Sequence, residues 1–143
     1  MILSLYMSVI FYMKNLEIKS NENLDSFYML KEKKKYNASV HCAYYAAYLL
    51  SLYSLCSKFG YTLENITSNT SGRDSHYYVK SELSNQVGKI SRFDSIDFVK
   101  YINLLKKMRK KADYTNEMIT SFEADFVEKN ISNLVSLITL KYI

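Results

Sequence analysis

The chain has 143 residues, 19 Lys and Arg against 14 Asp and Glu, a net charge of +5 and a pI near 9.0. That length supports one domain with its own core and requires no disulfide framework. With no proline, three glycines and fourteen tyrosines, it lacks the residues of tight hairpins and glycine-rich phosphate loops, which speaks against sandwiches, barrels, Rossmann sites and P-loops.

Cys42 and Cys56 fall in one apolar stretch and read as buried free thiols. His41 and His76, without CxxC or HExxH spacing, are too few for a structural zinc site, so the sequence calls for no metal and no cofactor. The basic balance suits an RNA or DNA partner and equally any basic soluble protein.

The first thirteen residues, MILSLYMSVIFYM, are apolar. They carry no basic leader segment and no cleavage site, and they are too short to cross a bilayer. Residues 1–13 therefore read as an apolar extension, and a cytoplasmic protein with no membrane association is expected. Met7 and Met13 are alternative initiators, and the polar segment after Met13 makes a misplaced start a reasonable expectation. The domain proper then comprises residues 14–143.

Helical periodicity organises the remainder of the chain. A first helix is predicted from about Asn21 to Lys31, with Leu24, Phe27 and Tyr28 on one face, ending in a run of charge that reads as a solvated connection. A second, about Asn37 to Lys58, begins at a good N-cap residue and is apolar around nearly its whole circumference, so it should be the central helix. Its tyrosines 44, 45, 48 and 53 resemble a base-stacking platform, but tyrosine at helical spacing is more often core.

From Phe59 to Phe93 the chain is polar and holds all three glycines, with one short helix predicted near SHYYVKSEL, capped by Asp74 or Ser75. Excursions of this length are functional or disordered. A third helix is predicted over about Asp94 to Lys111, with Phe98, Ile102, Leu105 and Arg109 on one stripe and Lys100, Asn103, Lys106, Lys107, Lys110 and Lys111 on the other arc. The last, from about Ser121 to Leu140, opens with a capping box of Thr120 and Glu123 and directs Phe126, Val127, Ile131, Leu134, Val135 and Ile138 inward. The expected fold is all-α: an up-and-down bundle of four main helices plus a short helix in the long loop between the second and third.

Arg109 is the odd charge. A guanidinium on an apolar stripe must be paired, face a partner subunit or line a cleft, because burying it alone costs several kcal/mol. The local alternative is an ion pair with Asp113 at i, i+4 or a cap on the helix end. His76 lies where a ligand could be met and could act as acid or base. His41 faces Tyr45 and Tyr48 and reads as a satisfied core histidine.

YNASVHCAYYAAY in the second helix, SHYYVKSEL in the excursion and LLKKMRKKADYTNEMITSFEA across the last two helices together resemble the HEPN superfamily, small α-helical domains often encoded beside a minimal nucleotidyltransferase. The resemblance covers roughly Leu24 to Leu140. It implies a homodimer in a toxin-antitoxin or defence module with a nucleotidyltransferase partner. It also implies RNA cleavage without metal, by attack of a ribose 2'-hydroxyl, at paired R-x(4–6)-H motifs.

Arg109 matches the motif's Arg and would hold the scissile phosphate. Where the family's His would stand this chain has Tyr114, and no His follows it. The resemblance carries over Arg109, and Asp113, Tyr114 and His76 join it as catalytic candidates from their own chemistry. Lys106, Lys107, Lys110 and Lys111 are nominated as an RNA-binding arc. A catalytically inert subunit that docks a nucleotidyltransferase is the rival expectation.

Overall fold

With neither proline nor glycine before residue 60, nothing interrupts the first two helices except a charged turn. In the computed structural model, which describes residues 1–143, α1 runs unbroken over Ile2–Glu32 and α2 over Tyr36–Ser57. Between them the amide of Lys35 donates to the carbonyl of Leu30, and Lys34 takes a positive φ of 58° to close the turn. The first helix therefore begins some nineteen residues before the predicted start. Apolar side chains on every side of residues 2–12 give no one-sided periodicity to read, and these residues project as exposed turns of α1.

α2 is the centre of the molecule, packed by α1, α4, α5 and α6. Its alanines 43, 46 and 47 are fully buried and let neighbouring helices approach closely. Its start is not capped by Asn37 as predicted: no side chain caps it, and Asn37 instead accepts the amide of Ile119 at 2.9 Å, tying the connection before the last helix to α2. Burial pushes the Cys56 thiol up to about 11, while Cys42 is half-buried.

The connection between α2 and the Arg109 helix is corrected. It holds two helices, α3 (Leu63–Thr70) and α4 (Ser75–Ile90), and α4 is sixteen residues long. The apolar residues Val79, Leu83 and Val87 recur at i, i+4, i+8 and are all buried; a stripe one residue wide among polar neighbours is what the sequence pattern hid. Asp74 caps α4 as expected, accepting from the amides of His76 and Tyr77. Ser91 alone joins α4 to α5 (Arg92–Tyr114): its amide closes the end of α4 on Val87 and its hydroxyl accepts the amide of Asp94.

α6 (Ser121–Lys141) starts with the expected capping box, both reciprocal bonds present. It lies antiparallel to α5. Lys111 pairs with Glu123 at one end at 2.7 Å, while at the other the Tyr142 hydroxyl donates to Asp94 at 2.5 Å, with Lys141 alongside. Phe126, placed inward by the sequence pattern, is 44% exposed; its neighbour Val127 takes the buried position. The whole is all-helical, six helices without a strand, and none of them is long and apolar enough to cross a membrane.

Candidate functional site

Three helices converge around Arg109. On α2, His41, Tyr44, Tyr45 and Tyr48 follow i, i+3, i+4, i+7 spacing and so share one face. The first turn of α4 brings Asp74 and His76, and the last turns of α5 bring Lys106, Arg109, Asp113 and Tyr114.

The Arg109 side chain is only 10% exposed, yet it is not sealed. Nε donates to Asp113 Oδ2 at 3.3 Å and Nη2 donates to the Tyr114 hydroxyl at 2.6 Å. The rings of Tyr44, Tyr45 and Tyr114 surround the guanidinium carbon at 5.1, 5.4 and 5.2 Å. Aromatic faces stabilise a desolvated cation, and although burial opposes the charge, Tyr45, Asp113 and Tyr114 raise the guanidinium's affinity for its proton. Nη1 makes no bond within the chain, and no fully buried side-chain nitrogen is left without a partner, so Nη1 reaches the surface. Part of a five-donor fork thus remains available to an anion.

Asp113 Oδ2 is shared. Besides Arg109 it accepts His41 Nδ1 at 2.7 Å. His41 is corrected from the expected core histidine: its side chain is 46% exposed, and its ring lies against Tyr45 alone. Tyr48 stacks on His76 instead, with ring centroids 4.1 Å apart.

His76 is held between Tyr44 and Tyr48, its Nδ1 hydrogen-bonded to the Tyr44 hydroxyl at 2.8 Å. Burial, then the positive charges of Arg109 and Lys106, lower its pKa against the opposing pull of Asp74, so the neutral imidazole is favoured. Burial also pushes the Tyr44 phenol up to about 12. Asp74 is held below the usual carboxylate range because the amide of Tyr77, Lys106 and the amide of His76 outweigh its burial.

The structure therefore brings Arg109, Asp113 and Tyr114 into direct contact and sets His76 beside them through Tyr44. The predicted basic arc is divided. Lys106 pairs with Asp74 at 3.4 Å and Lys111 with Glu123, whereas Lys107 and Lys110 are exposed and make no ion pair. No group of three or more His, Cys, Asp or Glu side chains is placed to hold a metal ion.

Sequence reasoning does not nominate His41, Tyr44 or Tyr45 for the site. A polar His on the tyrosine-bearing face of an otherwise apolar helix is the signal that points to them. A mostly apolar groove of about 350 Å³, lined by Lys34, Lys35, Tyr36, Asn37, Met118 and Ile119, opens at the start of α2, one helical turn before His41. The void beside Tyr44 and His76, at about 10 Å³, has room for little more than one water.

No protein-family model matches the chain, and neither a curated protein nor a solved structure gives a significant match.

Proposed function

We propose that the chain is an HEPN-like RNA-binding bundle, in the up-and-down arrangement of that family, that cleaves RNA by internal attack of a ribose 2'-hydroxyl. The observation that carries this reading is Arg109. Its guanidinium is fixed by Asp113, Tyr114 and three aromatic rings, and its Nη1 edge remains free at the surface. A preorganised, partly desolvated fork is suited to a phosphate whose charge grows in the transition state. The unpaired Lys107 and Lys110 supply sequence-independent phosphate contacts.

In this reading the molecule acts in the cytoplasm as a homodimer, within a toxin-antitoxin or defence module, beside a minimal nucleotidyltransferase. Arg109 then contributes to a cleft shared with its twin. A specific observation favours one alternative, an inert subunit that docks a nucleotidyltransferase: the exposed apolar turns of Ile2–Tyr12 offer a partner surface.

Incubation of wild type and Arg109→Ala with total tRNA in the presence of chelator separates the two. The proposed function expects cleavage by wild type and its loss, by about 10²-fold or more, in the variant. No cleavage by either protein would leave the docking subunit.

A further inference from the structure

We infer that His41, on a different helix from Arg109, is the group that takes the proton of the attacking 2'-hydroxyl, with Asp113 as its positioning residue. This rests on the RNA-cleaving reading above and assigns to it the base that Tyr114, standing where an imidazole would be expected, does not provide.

An ionised carboxylate only accepts hydrogen bonds, so the 2.7 Å contact requires Nδ1 of His41 to carry the hydrogen and donate it to Asp113 Oδ2. In the neutral ring that leaves Nε2 with its lone pair. Nε2 makes no bond within the chain, and nearly half of the side chain is open to solvent. A fixed tautomer with an open, unprotonated nitrogen is what a general base requires.

The same oxygen, Asp113 Oδ2, also accepts Arg109 Nε. The imidazole and the guanidinium are therefore held no more than two hydrogen bonds apart by one carboxylate. The assignment requires that a phosphate on the free edge of Arg109 bring its ribose 2'-oxygen within reach of Nε2.

The other candidates suit the role less well. Tyr114 accepts Arg109 Nη2, and a phenol is a weak base near neutrality. His76 has Nδ1 on the Tyr44 hydroxyl and packs among Tyr44, Tyr45 and Tyr48, and no hydrogen bond ties it to the carboxylate that fixes Arg109. Asp113 Oδ2 already receives two N–H donors, which lowers its basicity.

In the step itself the 2'-O–H bond breaks and its proton passes to His41 Nε2, while the 2'-oxygen forms a bond to phosphorus. The P–O5' bond breaks with its electron pair on O5', which takes a proton from water. The products are a 2',3'-cyclic phosphate and a 5'-hydroxyl end, and the imidazolium returns its proton to solvent. Arg109 stabilises the charge on the non-bridging oxygens throughout.

The test is cleavage of total tRNA across pH 5 to 9 by wild type, Arg109→Ala, His41→Gln, His41→Ala and Asp113→Asn, with RNA affinity and helicity measured for each. The titratable groups in contact with His41 are Asp113 from α5 and Tyr45 from its own helix, with Arg109 on the far side of the Asp113 carboxylate. We expect His41→Gln to lose about 10²- to 10⁴-fold in rate with RNA affinity within a few-fold of wild type. The acid limb of the pH profile should disappear with it. Added imidazole should restore part of the activity of His41→Ala and none of that of Arg109→Ala. Asp113→Asn should shift the acid limb and slow the reaction less than loss of the ring.

Cleavage by His41→Gln within threefold of wild type, or loss of RNA affinity equal to the loss of rate, would overturn the assignment and leave the RNA-cleaving reading standing. Absence of cleavage by wild type, or equal cleavage by Arg109→Ala, would overturn that reading and this inference with it.

Discussion

At the scale of single residues, the site is a set of charges made tolerable by tyrosines. Arg109 is nearly buried without loss of its charge because its hydrogen bonds and three ring faces replace the water it gives up. The cost falls on His76, whose protonation is opposed by burial and by the cations Arg109 and Lys106. A folded-state pKa below the ordinary imidazole value means that the unfolded chain binds the proton more readily. Stability from this group is then complete above about pH 6.5 and is lost as the pH falls below it, with a slope of at most about 1.4 kcal/mol per pH unit for one proton. Urea denaturation at pH 7.5 and pH 5.5 should show a smaller acid loss for His76→Gln than for wild type. An equal loss in both would place the sensitive group elsewhere.

Arg109 can be singled out from the sequence because a helix wheel sets it among Phe98, Ile102 and Leu105, all of which are buried. Asp113 and Tyr114 come with it because they lie within the same two turns. His41 cannot be found that way. Its partner Asp113 is 72 residues distant, and local periodicity carries no information about which faces of two remote helices meet.

At the scale of elements, the parts legible in the sequence are those with their own local chemistry. The Thr120 and Glu123 box fixes the start of α6, and Asp74 fixes the start of α4. The full length of α4 is hidden because three buried residues in sixteen make too thin a stripe, and α3 is hidden because LENITSNT buries only Ile66. Leu83 is fully buried, so Leu83→Ala should destabilise the protein by about 2–5 kcal/mol in urea denaturation. A change below about 1 kcal/mol, the range of surface substitutions, would detach α4 from the core. In the α1–α2 turn Lys34 holds φ of 58°, where a side chain is strained. Lys34→Gly should relieve about 0.5–1 kcal/mol of that strain, seen as a higher thermal midpoint.

At the scale of the whole molecule, two ends of the chain behave differently. The C-terminal Tyr142 is buried and locked to Asp94, which holds its phenol at about 12 through burial and then that hydrogen bond. Residues 2–12 carry no charge and lie open to solvent. A contiguous apolar surface of this kind drives association. A chain beginning at Met13 should therefore keep its stability within about 1 kcal/mol and elute later and more sharply in gel filtration than the full chain. A large loss of stability would mean that these turns brace α2.

The tyrosine cage around Arg109 also has an optical consequence. The protein has no tryptophan, so its intrinsic emission comes from fourteen tyrosines, three of which face one guanidinium. Those three phenols sense any shift of the cation towards a bound anion, and Tyr114 is also bonded to it directly. Occupancy of the site can thus be followed by ultraviolet fluorescence of the unlabelled protein, with Arg109→Ala as the silent control.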